Sequence, residues 1–310
     1  MNKPLLIAKS ALIENELDNK IFLQAEAIEI QLLDELAYTS AKALFNRNKK
    51  LFFRYPIKAI HAPLMDSHEV SLEYIRDTKY VKKTCELAEL CGKLRNEKII
   101  VVLHVYNSTD TLRELGRLNY VVSMIRQLAD KYEHIKIGIE NTTIFDLDND
   151  EKRFGLDSTI SIKDGEPHLA NIDLVKEINH PRVGCVIDFC HLLMTERVTD
   201  LLVKWLQRKG LEQKDFISTA FKEAAPYTIL YHLAYPKSTG YNIKSEIRHG
   251  MPFHKDDEKE MKLLQSFMDN YNMSCKIKDE IIPITLEVFE YDYNNCKNFR
   301  DTKFAVESII

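Results

Sequence analysis

Eight short apolar runs punctuate the chain, each followed by a longer segment of helical character. The runs are Leu5–Ala8, Ala27–Gln31, Ile57–His61, Ile99–His104, Ile135–Glu140, Val183–Asp188, Thr228–His232 and Ile284–Glu287. Several read as near-continuous Val, Ile and Leu without alternation, the pattern of strands buried on both faces in a parallel sheet. Between them, Ser71–Arg95 carries Leu72, Ile75, Leu87, Leu90 and Leu94 at helix-like steps. Thr109–Tyr132 carries Leu112, Leu115, Leu118, Val121, Val122, Ile125 and Leu128 as one stripe, with Asn107, Ser108 and Thr109 as N-cap candidates. In 310 residues, eight strand–helix units average about 39 residues each. That spacing predicts one α/β domain over 1–310, a single (β/α)8 TIM barrel, for which ~250 residues is typical. A doubly wound sheet needs a Gly-rich turn after its first strand, and Lys9, Ser10 and Ala11 supply none. The least regular stretches, 141–170 after the fifth strand and 233–256 after the seventh, are expected to be elaborated loops. Thr199–Glu223 reads as a helical pair broken at Gly210, and Lys297–Ile310 as a closing helix.

Composition narrows the class of partner. With 45% apolar and 29% charged residues the chain is an ordinary globular one, not a disordered tail. Its 43 basic and 47 acidic residues give net −4, which argues against holding nucleic acid by bulk charge. Six cysteines without a CxxC pair make neither a disulfide scaffold nor a zinc knuckle. No apolar stretch approaches the ~18 residues of a membrane span. The N-terminal run, broken by Lys9 and Glu14, is too short for a signal peptide. The expectation is a soluble, reduced, cytoplasmic protein without a membrane partner.

In such a barrel the chemistry sits where the carboxyl ends of the strands meet the following loops. Strand three ends at His61, strand four at His104, strand five at Glu140 and strand six at Asp188 with His191 beyond it. Strand seven ends at His232 and strand eight at Glu287, with His249 between them. Taken singly, a His at a strand end is a hydrogen-bonded loop residue and a carboxylate is a helix cap. Six consecutive strands ending in such groups are different, because barrel closure brings all of them to one mouth. Crowded there, they need a counter-charge, which a divalent metal supplies. Mixed imidazole and carboxylate ligands suit zinc, manganese or iron. In Asp188-x-x-His191 the Asp leaves the strand end and the His returns from the first turn after it.

Together, GCVIDFCH around Asp188, IENT around Glu140, LHV at His104, the His232-Leu-x-x-x-Lys-Ser run, Arg248–His249 and Leu286–Glu287 resemble the endonuclease IV family. Those are the family 2 AP endonucleases of the xylose-isomerase-like TIM-barrel superfamily. The resemblance implies a barrel holding three zinc ions that cleaves DNA 5′ to abasic sites. The implied ligands are His61, His104, Glu140, Asp188, His191, His232, His249 and Glu287. The sequence departs from the pattern in several places. Ile247 stands where the family has a third-metal Asp, with Glu246 beside it, so two or three ions are expected. Thr143–Ile144–Phe145 replaces a Gly-rich continuation, and Val105–Tyr106 replaces Pro-Gly. Ala-Pro-Leu-Met follows His61 where the family has a Tyr-Leu pair that enters DNA. That Ala-Pro form, and Glu29 in the second strand, look like the superfamily's sugar isomerases and epimerases.

Two mechanisms share the scaffold. As a phosphodiesterase, the chain would use two ions bridged by Glu140 to make a water nucleophilic. Lys237, Arg248 and Asn141 would contact the substrate, the two cations meeting adjacent phosphates. As a sugar or sugar-phosphate isomerase or epimerase it would hold one divalent ion through Glu140, Asp188, His232 and Glu287. Glu140 and Glu287 would then move a proton on opposite faces of the sugar. The surplus of imidazoles favours the multinuclear phosphodiesterase, and the acidic net charge weighs against duplex DNA as its partner.

Overall fold

All eight apolar runs form parallel strands: β1 (Leu6–Ser10), β2 (Ala27–Gln31), β3 (Ile57–His61), β4 (Ile99–His104), β5 (Ile135–Glu140), β6 (Val183–Asp188), β7 (Thr228–Leu233) and β10 (Ile284–Leu286). In this computed structural model, which describes residues 3–33, 35–36, 38–63, 78–105, 109–141, 170–196, 216–238 and 247–310, they close into a barrel. β7 is followed by an antiparallel ribbon of β8 (Tyr235–Ser238) and β9 (Ile247–Met251), and β10 then seals the ring between β7 and β1. The ribbon is part of the elaboration expected after strand seven. Residues 142–169, 197–215 and 239–246 lie outside the described residues. They include most of the predicted loop after strand five, Thr143–Ile144–Phe145, Gly210 and Glu246.

The described helices are α1 (Glu14–Phe22), α2 (Ala41–Arg54), α3 (Thr78–Arg95), α4 (Thr109–Glu114), α5 (Leu118–Lys131), α6 (Ala170–Ile178), α7 (Phe189–Glu196), α8 (Phe216–Ala224), α9 (Glu258–Lys278) and α10 (Lys297–Glu307). Local chemistry starts several of them. Ser40 Oγ accepts from Ala43 N at the start of α2, and the Asp257 carboxylate accepts from Lys259 N and Glu260 N at the start of α9. Among the described residues, no helix is long and apolar enough to cross a membrane.

Two separate apolar clusters explain why the strands lack alternation. One face of each strand packs outward on the helices: Leu6 and Ala8, Ile28 and Ile30, Val101 and Leu103, Ile137 and Ile139, Cys185 and Ile187, Tyr231 and Leu233. The other face fills the barrel with Ile7, Ala27, Ala59, Ile100, Val102, Val186 and Leu230. Side chains alternate along a strand, so the residue two positions beyond each interior group also points inward. Those residues are Lys9, Glu29, His61, His104, Asp188 and His232, and Glu140 has the same parity on β5. The interior is thus apolar at depth and polar at the carboxyl end.

Three differences from the sequence reading have physical causes. The stripe over Thr109–Tyr132 is two helices, not one, because Gly116 adopts φ +66° and ends α4. Its N–H reaches Arg113 O and that of Arg117 reaches Leu112 O, closing the helix before α5 begins. β1 runs on to Ser10, which places Lys9 inside the barrel. β10 stops at Leu286, although Glu287 N still donates to Leu233 O at 3.1 Å and so keeps its place beside β7.

Close approach between β6 and β7 requires a residue without a side chain at Gly184. A Cβ there would lie 2.5 Å from Tyr227 O and 2.6 Å from Ile229 Cγ2. At Gly116 no atom lies within 4 Å of the same construction, so only its left-handed backbone resists substitution. Gly184→Ala should therefore destabilise the fold by roughly 1–3 kcal/mol through overpacking. Gly116→Ala should cost about 1 kcal/mol through its backbone alone. Urea denaturation of the two variants checks this, and a Gly184→Ala midpoint at or above that of Gly116→Ala contradicts it.

Candidate metal centre

Glu140 ends β5 fully buried, and its two carboxylate oxygens face different partners. Oε2 lies 3.0 Å from His61 Nε2 and 3.1 Å from His104 Nε2. Oε1 lies 3.2 Å from His232 Nδ1 and 3.7 Å from His191 Nδ1. Register supplies this convergence, since His104 is the Cα partner of Glu140 across β4–β5 and Asp188 that of His232 across β6–β7. Glu287 completes the group, with Oε2 2.6 Å from His232 Nδ1. His191 sits in the first turn of α7, as the Asp188-x-x-His191 spacing predicts, and its backbone N–H donates to Asp188 Oδ1 at 2.9 Å.

The structure therefore gathers His61, His104, Glu140, Asp188, His191, His232 and Glu287 at one mouth. Two overlapping sets have donor atoms within 4.8 Å of one another: His61, His104 and Glu140, and Glu140, Asp188, His232 and Glu287. Lys237, Arg248 and His249 fall on the β8–β9 ribbon, where Lys237 and Arg248 are Cα partners. Asn141, expected to touch substrate, is buried and engaged elsewhere. Its Nδ2 donates to Asp188 O at 3.1 Å and its Oδ1 accepts from Asp188 N at 2.7 Å, clamping the ends of β5 and β6 together. Cys185 and Cys190 are buried, as small apolar groups would be.

Lys9 and Thr285 escape the strand-end reading, and Glu29 figures there only in the likeness to sugar enzymes. Lys9 Nζ lies 2.6 Å from Glu287 Oε1 and 3.6 Å from Glu29 Oε1. Glu29 Oε2 faces His232 Nε2 at 3.1 Å and accepts from Thr285 Oγ1 at 2.8 Å. The signal for Glu29 and Lys9 is a charged residue on the inward parity, within an apolar run or directly after it, and the two are Cα partners across β1–β2; Thr285 carries no such signal.

Electrostatics follow from this crowding. Burial opposes charge on His232, but Glu29, Glu140 and Glu287 outweigh it and hold the imidazole well above its usual pKa. Burial likewise opposes ionisation of Glu140, yet His232 and His104 hold its carboxyl well below the ordinary carboxylate range. Burial, then the Lys9 ammonium, lowers the pKa of His61.

The donor set suits a divalent metal. His61 Nδ1 lies 2.8 Å from the Ala62 carbonyl and can interact with it only by donating a proton. A neutral imidazole so arranged turns the lone pair of Nε2 toward the Glu140 carboxylate, which is repulsive unless a cation is shared. His191 likewise turns Nδ1 toward a backbone carbonyl, 2.8 Å from Asn141 O. Imidazoles oriented by carbonyls and joined by carboxylates are the donors of zinc, manganese and iron sites.

No model of a known protein family matches the sequence, and no curated protein matches it significantly. Solved structures do match over nearly the whole chain. A xylose isomerase domain protein from Planctomyces limnophilus is 11% identical with a TM-score of 0.57, covering 99% of each chain. D-psicose 3-epimerase from Clostridium cellulolyticum H10, solved with D-tagatose, is 14% identical with a TM-score of 0.52, covering 98% of this chain and 95% of its own. AsfvAP, from the AsfvAP:AG structure, is 10% identical with a TM-score of 0.52 over 99% of each chain. These similarities show that the chain shares the (β/α)8 barrel fold of these proteins.

In metal-free protein the raised pKa of His232 couples stability to pH. A solvated imidazole loses its proton near pH 6.5, whereas folded His232 keeps it to higher pH. Its stabilisation is therefore complete below that value and fades as pH rises through the raised pKa. With chelator present, the difference in unfolding free energy between wild type and His232→Gln should narrow as pH rises above about 6.5. Denaturant titrations across that range check this, and a difference that holds constant or widens contradicts it.

Proposed function

We propose that this chain is a metal-dependent hydrolase of phosphodiesters, holding two divalent ions, zinc first among the candidates, on either side of Glu140. The observation that carries this reading is the division of the Glu140 carboxylate. One oxygen faces His61 and His104, and the other faces His232. A single-ion site has no need of the first pair. Ile247 in place of a ligand Asp favours two ions over three.

Bound at these donors, divalent ions supply Lewis acidity that makes water more acidic and neutralises phosphoryl charge. The chain's own groups do the rest. Glu140, kept ionised by its imidazoles, spans the two donor sets and fixes their separation. Glu287 is the most exposed carboxylate of the group at 12%, and we assign it to take up the proton of an attacking water. Lys9 anchors the other oxygen of Glu287. The β8–β9 ribbon sets Lys237 and Arg248 opposite each other beyond the mouth, and we assign them to phosphates flanking the scissile bond. Abasic-site DNA is the substrate that the sequence resemblance implies. The acidic net charge favours a related phosphoester over duplex DNA.

A second reading has its own observation. Glu140, Asp188, His232 and Glu287 alone suffice for one ion, and two of them can exchange a proton with a sugar carbon, as an isomerase or epimerase requires. D-psicose 3-epimerase shares this fold.

Substituting His104 separates the two. Under the two-ion reading, purified wild type carries two ions per chain and cleaves both bis(p-nitrophenyl) phosphate and an abasic-site oligonucleotide. His104→Ala should then lose one ion and more than about 100-fold in cleavage rate, beyond what loss of an outer-shell contact costs. One ion in wild type, unchanged in His104→Ala, together with interconversion of D-psicose and D-fructose, would instead establish the epimerase.

A further inference from the structure

Glu29, His61 and His232 form a third compact group of donors, but the contacts around Glu29 describe a different device. The Lys9 ammonium already stands 3.6 Å from Glu29 Oε1, so a further cation there would meet a like charge. Thr285 Oγ1 donates to Glu29 Oε2 at 2.8 Å, and the same oxygen faces His232 Nε2 at 3.1 Å. Glu29 and His232 are both fully buried, so neither has water as an alternative partner. The two nitrogens of His232 thus look in opposite directions. Nε2 faces Glu29, while Nδ1 faces Glu140 Oε1 and Glu287 Oε2, the oxygens of the donor set.

We propose that Glu29 is a positioning residue that fixes His232 as its Nε2–H tautomer, so that Nδ1 alone is presented as a ligand, with Lys9 and Thr285 holding Glu29 in place. A carboxylate can only accept a hydrogen bond, so a ring nitrogen facing one carries a proton; an ion held among Glu140, Asp188 and Glu287 would take the place of the proton on Nδ1, and Glu29 would keep the remaining one on Nε2. Carboxylates placed behind ligating imidazoles act in this way, setting ring orientation and ligand basicity. Lys9 stands beside Glu29 and pairs with Glu287, so one ammonium braces both carboxylates that flank His232. A Glu29 that bound substrate instead would have a carboxylate oxygen exposed at the mouth. Its side chain is completely buried.

The inference rests on the reading above only in requiring an ion at His232, and it is indifferent to the number of ions and to the substrate. His104→Ala protein isolates the ion at His232 under either functional reading, and zinc titration by calorimetry in that background measures its Kd. Glu29→Leu, which removes the acceptor, should raise that Kd by about 10–100-fold. Glu29→Gln, whose amide oxygen still accepts from Nε2–H, should retain most of the affinity, and Thr285→Val should show a smaller loss than Glu29→Leu. In zinc-loaded protein, nitrogen-15 shifts of the His232 ring should report a protonated Nε2. An unchanged Kd in Glu29→Leu, equal losses in Glu29→Leu and Glu29→Gln, or a protonated Nδ1 would each overturn the proposal. Should Glu29→Leu fail to fold, the Glu29→Gln and Thr285→Val affinities and the ring tautomer decide it. Wild type that binds no ion would overturn both this proposal and the functional reading, whereas a single ion would overturn the two-ion reading alone.

Discussion

A carboxylate sealed from water and faced by three imidazoles is an arrangement that few folds would keep without a purpose. Glu140 is in that position because a closed parallel barrel leaves no choice about direction. Each strand sends every second side chain inward, and the last inward residue of each strand meets its counterparts at one end. Deeper in the barrel the same parity is filled with Ile7, Ala59, Val102, Val186 and Leu230, which keeps water out from below. The polar layer therefore lies between an apolar floor and the loops, where charge interactions are strong and lone charges costly. Every other feature of the centre answers that constraint. Glu140 is faced by His61, His104 and His232, while Lys9 pairs with Glu29 and Glu287.

Much of this was legible in the sequence because burial on both faces writes itself as uninterrupted apolar runs. β2 through β6 begin and end where those runs do, and the residues ending them define the mouth. The reading failed where a single residue overrides a pattern. Gly116 splits a continuous helical stripe because its backbone turns left-handed, a property invisible to hydrophobic periodicity. Lys9 follows the apolar core of its run, where hydrophobic pattern alone gives it no place in the sheet, yet β1 extends through it and parity turns it inward. Asn141 adjoins Glu140 in sequence but closes a hydrogen-bonded clamp on Asp188, and only the β5–β6 register shows that.

Fold and chemistry separate at this point. The barrel is shared with a xylose isomerase domain protein, an epimerase and AsfvAP, each at 14% identity or less. The scaffold alone therefore assigns no reaction. What distinguishes the candidate reactions is the number of cations the mouth is built to neutralise. His61 and His104 add a second donor set to one that suffices for a single ion. Among the described residues, four carboxylates, Glu29, Glu140, Asp188 and Glu287, stand against one ammonium, that of Lys9, a deficit that one divalent ion does not balance.

Under the proposed function Glu140 separates two ions, and anomalous diffraction from zinc-soaked crystals locates ions directly. Data collected at the zinc edge should show two peaks per chain, one among His61, His104 and Glu140 and the other among Glu140, Asp188, His232 and Glu287. A single peak confined to the second set, or none at either, would contradict the account.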